Sequence, residues 1–346
     1  MMALRPLMNR IRRAASDSNA DFMALAADRW EAAPAEVVAF PAATVLAGQL
    51  VRIRDTVFGS PAETLHALTF ARECRIGPTI AYRFHDVDLV DGVLYKGGAE
   101  HHLRPRRSRV PLAGRPRLAL SGALYDSWIG LRYFGNWLMD DCEIYRLAEL
   151  EGQTFTVRQD SAGHRACYEA MLDMAPMRIE TAHLDDLVMF DDLQNNAGRR
   201  ARAADRRRRL LAGRSFAPHP GVFLLRGTSG DARRLRNEAQ LANDLHQRYG
   251  IMPIDAEAHT VADLVAACAG ARIAIGVEGS QLTHALAVMA PGGTFLALFP
   301  PDRVTAAMKL MTDRLGLGFA VVIGTGTASG FEVSLDEIEA TLDRVA

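Results

Sequence analysis

Lysine is almost missing from this 346-residue chain. Of its 40 basic residues only Lys96 and Lys309 are not arginine. With the alanine-rich texture this reads as coding bias, so a single arginine carries little functional weight by itself. Cysteine is scarce as well. Cys74, Cys142, Cys167 and Cys268 stand far apart and no C-x-x-C occurs, which argues against a disulfide framework or a zinc site and suits a reducing, cytoplasmic setting. Aromatic residues make up 7%, too few for stacking platforms along single strands. Neither sign of charge dominates, the net being -1, so no global basic field draws nucleic acid. No apolar run reaches the ~18 residues of a membrane span. Arg5, Arg10, Arg12 and Arg13 break up the first apolar residues and leave no continuous core for a secretory leader. A basic amphipathic start of this kind can lie against an anionic membrane; an ordinary first helix is the simpler reading. What is present is a globular composition, 49% apolar and 23% charged, enough for a large core and, at ~150 residues each, about two domains.

The texture changes along the chain. Residues 1–60 show no clear period. From Thr79 to about Val110 apolar residues alternate around Asp91-Gly92 and Gly97-Gly98, the punctuation of hairpins, and HHLRPRRSRV follows as a basic, proline-broken loop. A short strand is expected at 118–120, then a helix opened by Gly135-Asn136, and strands at 155–158 and 177–180. Eight arginines between Arg199 and Arg214, with one Asp among them, read as a solvated helix face, and because Pro218 and Pro220 follow at once the domain junction is placed in this stretch.

The last third is the most legible. Apolar strands at 222–225, 251–254, 272–277, 294–299 and 319–323 alternate with helices. Leu241, Leu245 and Tyr249 mark one face and Gly250 its stop. Thr260 with Asp263, and Ser334 with Glu337, have the spacing of capping boxes. Such alternation predicts parallel strands with right-handed crossovers, a Rossmann-like layer, whose ligands sit at the carboxyl ends of the strands.

Three strand ends carry candidate residues. Arg226 follows the first strand directly, with Arg233 and Arg234 across a glycine-bearing loop. Arginines so placed suit bidentate contact with phosphate; a solvent-facing loop fits the spacing equally. At the second, Glu278-Gly279-Ser280-Gln281 leads into a helix whose free N–H groups favour an anion, whereas the Glu278 carboxylate suits sugar or ribose hydroxyls. At the third, Phe299-Pro300-Pro301-Asp302 can line a base pocket, with Thr283 and His284 in the first turn of the preceding helix. Upstream, Asn136, Asp140 and Glu143 fall on one helical stripe, a source of a general base or simply a cap with acids at a helix start. Asp86-Val87-Asp88 matches a short metal-binding pattern found by chance in many chains. The phosphate-loop, dinucleotide, zinc-protease and serine-elbow motifs do not occur.

Taken in order, LLRGTSGDARRLRNEAQL, GARIAIGVEGSQLTHALAVMAPGGTFLALFPP and LGLGFAVV resemble the C-terminal half of the glycosyltransferase 61 family. Arg226, Arg233, Arg234, Asn237 and Glu238 match its first segment, and Gly276, Gly279, Leu282, Thr283, Pro291 and Gly292 its second. Upstream, YFGNWLMDDCEIYRL matches at Trp137, Leu138 and Asp140. The resemblance runs over residues 80–325 and is of a divergent, bacterial capsular or exopolysaccharide type: Asn136 and Glu278 stand where the family has histidines, and His284 where it has asparagine.

The resemblance implies an α/β GT-B architecture, two Rossmann-like domains facing a cleft: an acceptor-side domain with a hairpin region at 1–210 and a nucleotide-sugar domain at 211–346. It implies inverting transfer from a nucleoside-diphosphate sugar to a saccharide or lipid-linked acceptor, with no obligatory metal or other cofactor, by a cytoplasmic or membrane-peripheral protein. Arg226, Arg233, Arg234, Glu278, Gly279, Ser280, Gln281, Thr283 and His284 would then hold the donor. Asp140 would be the base beside Asn136, with Asp141 and Glu143 as fallbacks. The substitutions at Asn136 and Glu278 leave open a catalytically silent relative that binds a nucleotide-sugar or a partner.

Overall fold

The computed structural model describes residues 21–105, 119–227 and 233–345. The basic amphipathic start, most of the proline-broken loop and the tip of the loop after Arg226 lie outside these residues. Contacts divide the chain into two compact units, one of residues 1–35 and 77–202, the other of 36–76 and 203–346. The strands come in chain order as β1 (Asp28–Ala33), β2 (Glu36–Phe40), β3 (Thr44–Val45) and β4 (Arg72–Ile76), then β5 (Thr79–Val90), β6 (Val93–Lys96) and β7 (Ala99–His102). They continue with β8 (Ala119–Leu124), β9 (Thr154–Thr156), β10 (Met177–Arg178) and β11 (Thr181–Asp191).

In the first unit the sheet runs β10-β9-β8-β11-β5-β6-β7, with β1 also on β5. It is mixed. β10, β9, β8 and β11 are mutually parallel, while β11, β5, β6 and β7 form an antiparallel meander. The hairpins turn where the sequence places them, at Asp91-Gly92 and at Gly97, all with positive φ. Inward residues of the strands close the core: Phe84, Val87 and Leu89 from β5 pack with Phe155, Leu184, Leu187 and Met189.

The second unit is built on β3, β12 (His219–Leu225), β13 (Ile251–Asp255), β14 (Ala271–Val277), β15 (Thr294–Phe299) and β16 (Gly318–Ile323). Their order is β13-β12-β14-β15-β16-β3, and every pairing is parallel. The near-continuous apolar strands fit this, because both faces of a parallel sheet are covered. Helices Glu238–Tyr249 and Leu335–Leu342 seal one face through Leu241, Leu245, Ile338 and Leu342. The helix Val261–Ala269 packs on β12 and β14, and the helix Ala307–Leu315 on β16. The connection after β12 turns toward β13 and the connection after β14 toward β15, so the order reverses between these two strands. That reversal is where open α/β sheets bind ligands.

Three sequence readings are amended. The division expected at 210/211 left residues 36–76 with the N-terminal part, whereas they join the C-terminal unit, where β3 pairs with β16 through Thr44 and Ala320. A two-residue edge strand carries no periodicity to read. The box at Thr260 and Asp263 forms with both of its hydrogen bonds, but the Ser334 side chain caps nothing; Glu337 is drawn instead to Arg52 Nη2 at 2.5 Å. Asn136 does not open a helix. Helical turns begin at Trp128, Asn136 ends the short helix Phe134–Asn136, and the next turn, Trp137–Asp141, is π-helical. No described helix is long and apolar enough to cross a membrane.

Candidate functional site

In the second unit the loops after β12 and β14 flank the point where strand order reverses. Arg226 stands immediately beyond β12 and is buried. Its backbone N–H donates to Glu238 Oε1 at 2.9 Å, which ties the strand end to the first turn of the helix Glu238–Tyr249. Burial pushes the Glu238 carboxyl above its ordinary range, against the pull of Arg226. The Arg226 guanidinium lies against Gly279. A Cβ there would fall 3.3 Å from Arg226 Nε and 2.5 Å from Gln281 Oε1, so the glycine lets these side chains come close to the backbone.

Glu278 continues β14, and its N–H donates to Leu298 O at 3.1 Å. Its buried carboxylate accepts from Arg233 Nη1. The repulsion a carboxylate would offer a phosphate is thereby offset by the neighbouring guanidinium. The turn that follows is a 3-10 turn, Ser280–Leu282, with no side-chain cap. Gln281 Nε2 donates to Val277 O and Thr283 Oγ1 to Ser280 O, both at 2.6 Å. These two side chains therefore shape the turn from within. His284 is buried in the short helix Thr283–Leu286. Arg234 is exposed, and its backbone joins Ala328 and Phe331. Phe299 is wholly buried and belongs to the core rather than to a base pocket. Asp302 accepts from Ala328 N at 2.7 Å. A cavity of about 970 Å³ opens at the opposite, amino edge of this sheet, beside Pro220, Ile251 and Arg272, and touches none of the predicted site residues.

In the first unit the predicted polar stripe forms, with a partner the sequence reading missed. Arg199 Nη2 donates to Asp140 Oδ1 at 2.5 Å, and Nε donates to Glu143 Oε2 at 3.3 Å. Asp192 Oδ2 lies 3.9 Å from Arg199 Nε, and Arg202 reaches Asp192 Oδ1 at 2.6 Å. Asn136 Nδ2 donates to Asp140 Oδ2 at 2.9 Å. Both oxygens of Asp140 are thus engaged, yet its side chain keeps 16% exposure, where Glu143 keeps none. Arg199 is held more strongly protonated: burial opposes its charge, but Asp140, Glu143 and Asp192 outweigh that. The arginine run is therefore not simply a solvated face. Arg199, Ala203, Arg206 and Leu210 are buried at helical spacing within the helix Ala197–Leu211, a stripe readable in the sequence as one alanine and one leucine in register with two of the arginines.

Asp141 points elsewhere. Its Oδ1 accepts from Ser127 Oγ at 2.6 Å, and a Cβ on Gly130 would come within 2.0 Å of Oδ2. Burial, and then the charge of Asp126, push its carboxyl well above the ordinary range. Asp126, which accepts from Val157 N at 2.6 Å, is likewise pushed up by burial, to about 6. Asp141 and Glu143 are both fully enclosed. Asp88 of the short acidic pattern meets His183 Nδ1 at 2.8 Å. Among the described residues no group of three or more histidine, cysteine or acidic side chains is placed to hold a metal ion.

No curated protein matches the chain significantly. The family model described as Glycosyltransferase 61 matches residues 115–296, a span that holds both the Asn136–Asp140 turn and the strand ends bearing Arg226, Arg233 and Glu278. It covers more than half of the sequence, and the chain therefore belongs to the glycosyltransferase 61 family.

Proposed function

We propose that the protein transfers a sugar from a nucleoside-diphosphate donor, with inversion, to a saccharide or lipid-linked acceptor in polysaccharide biosynthesis. The observation that carries this reading is Arg226, buried at the reversal of an all-parallel sheet with its guanidinium against the bare backbone of Gly279. Ligands of such sheets lie there. A fixed guanidinium in a dry site stabilises the negative charge that develops on a departing diphosphate. Arg226 and Arg233 would take the phosphates, and the Gly279–Gln281 turn would take the close approach of the ligand. Inverting transfer also needs a base aligned with the acceptor hydroxyl. Of the three acids on the helical turns Asp140 alone keeps exposure. With this activity goes, as part of the proposal, the GT-B fold class.

Calorimetry with UDP, GDP and CDP tests the donor site. Arg226→Ala is expected to weaken the best of them at least about tenfold, 1.4 kcal/mol; an unchanged affinity removes the phosphate assignment. The engagement of both Asp140 oxygens favours a second reading, a relative that binds the donor without transferring. Donor hydrolysis or transfer by the purified protein, lost in Asp140→Asn, decides against it.

A further inference from the structure

Arg233 meets Glu278 through Nη1. Its opposite edge, Nε with Nη2, makes no hydrogen bond to a described residue, and Nε is enclosed. The side chain keeps only 8% exposure. That edge is a planar fork of two donors, the shape that matches two oxygens of one phosphate. A buried donor left unmade is costly, and more so on a charged group. The fork stands where ligands of this sheet type bind, and Glu278 itself sits on the end of β14, fixed through its N–H to Leu298 O. A long arginine side chain gives up rotamer entropy on binding, and a fixed partner removes that cost in advance.

We infer that Glu278 is a positioning residue for diphosphate binding: it holds Nη1 of Arg233 so that the Nε–Nη2 fork stays available to the phosphate oxygens, and it does not itself touch the sugar. The inference rests on the donor site proposed above. The carboxylate also compensates Arg233 while the site is empty, which a lone buried guanidinium is not.

Calorimetry with inorganic pyrophosphate, UDP, GDP and CDP, paired with thermal melts, tests it on Arg233→Lys, Arg233→Ala, Glu278→Gln, Glu278→Ala and the double alanine variant. Lysine keeps the ion pair and loses the fork, so Arg233→Lys is expected to melt like the wild type and to bind the best diphosphate at least about tenfold more weakly. Glutamine still accepts from Nη1, so Glu278→Gln keeps most of the affinity, and Glu278→Ala does not. The double variant, free of buried charge, is expected to bind as Arg233→Ala alone. If the two alanine losses add, Glu278 touches the ligand and the inference is wrong. If Arg233→Lys binds normally, or Arg233→Ala and Glu278→Ala lower only the melting point, the pair is a structural tie and the inference is wrong. If Arg226→Ala weakens binding while Glu278→Ala does not, only this inference falls. If the wild type binds none of the probes, the donor site falls and takes the inference with it.

Discussion

Each unit buries an arginine against acidic side chains, and the two differ in what is left of the guanidinium. Arg199 meets Asp140 through Nη2 and Glu143 through Nε, with Asp192 close by. Its fork is already filled by the protein. Arg233 has one carboxylate, on Nη1, and a fork that no described residue fills. The first arrangement ties the helix Ala197–Leu211 to the turns around Asp140; the second keeps donors in reserve. The same residue type, equally hidden, thus separates into brace and receptor by the count of its partners.

The largest effect should come from breaking the brace. Arg199→Met takes the bonded cation from Asp140 and Glu143, and breaking such a buried pair costs about 3–5 kcal/mol. The urea midpoint should fall while diphosphate affinity stays, the mirror image of Arg233→Lys; parallel losses in both variants would erase the contrast. Next is a pH dependence belonging to the first unit. The Asp126 carboxyl is raised by burial from 3.8 to about 6, and Asp141 is raised as well. A raised acid binds its proton in the folded state first. Stability therefore declines as pH rises from about 4 through 6, by ~2–3 kcal/mol for Asp126. Denaturation midpoints across that window should show the slope, and Asp126→Asn should make it shallower. The smallest effects separate two helix starts in the second unit. Thr260→Ala removes a formed cap and should cost ~1 kcal/mol; Ser334→Ala removes none and should cost at most a few tenths.

The sequence was legible where one local rule decides the structure. The apolar strands from Val222 onward, the Asp91-Gly92 turn and the Thr260 box follow from period, positive φ or capping geometry, and each needs only a few neighbours. The helix at Ser334 failed because a distant side chain, Arg52, competes for Glu337, and no local pattern contains that competitor. Segment 36–76 stayed opaque for the same reason: β3 is defined by β16, far along the chain. At the candidate sites the sequence placed Arg226 and Glu278 at strand ends. That Glu278 is held by Arg233, and Asp140 by Arg199, depends on pairings across long separations. The bias toward arginine hid the second of these, since an inward arginine looks like its solvated neighbours until Ala203 and Leu210 are set in register with it.

The placement of β3 has a consequence for synthesis. The strand emerges from the ribosome early, but the hydrogen-bonding edge that receives it, Ala320–Val321, is translated some 275 residues later. At ~5–20 residues per second that is a wait of roughly 15–55 s. Throughout it an early stretch of the polypeptide is without its lateral neighbour, so the last-made unit cannot be completed in a strictly vectorial order.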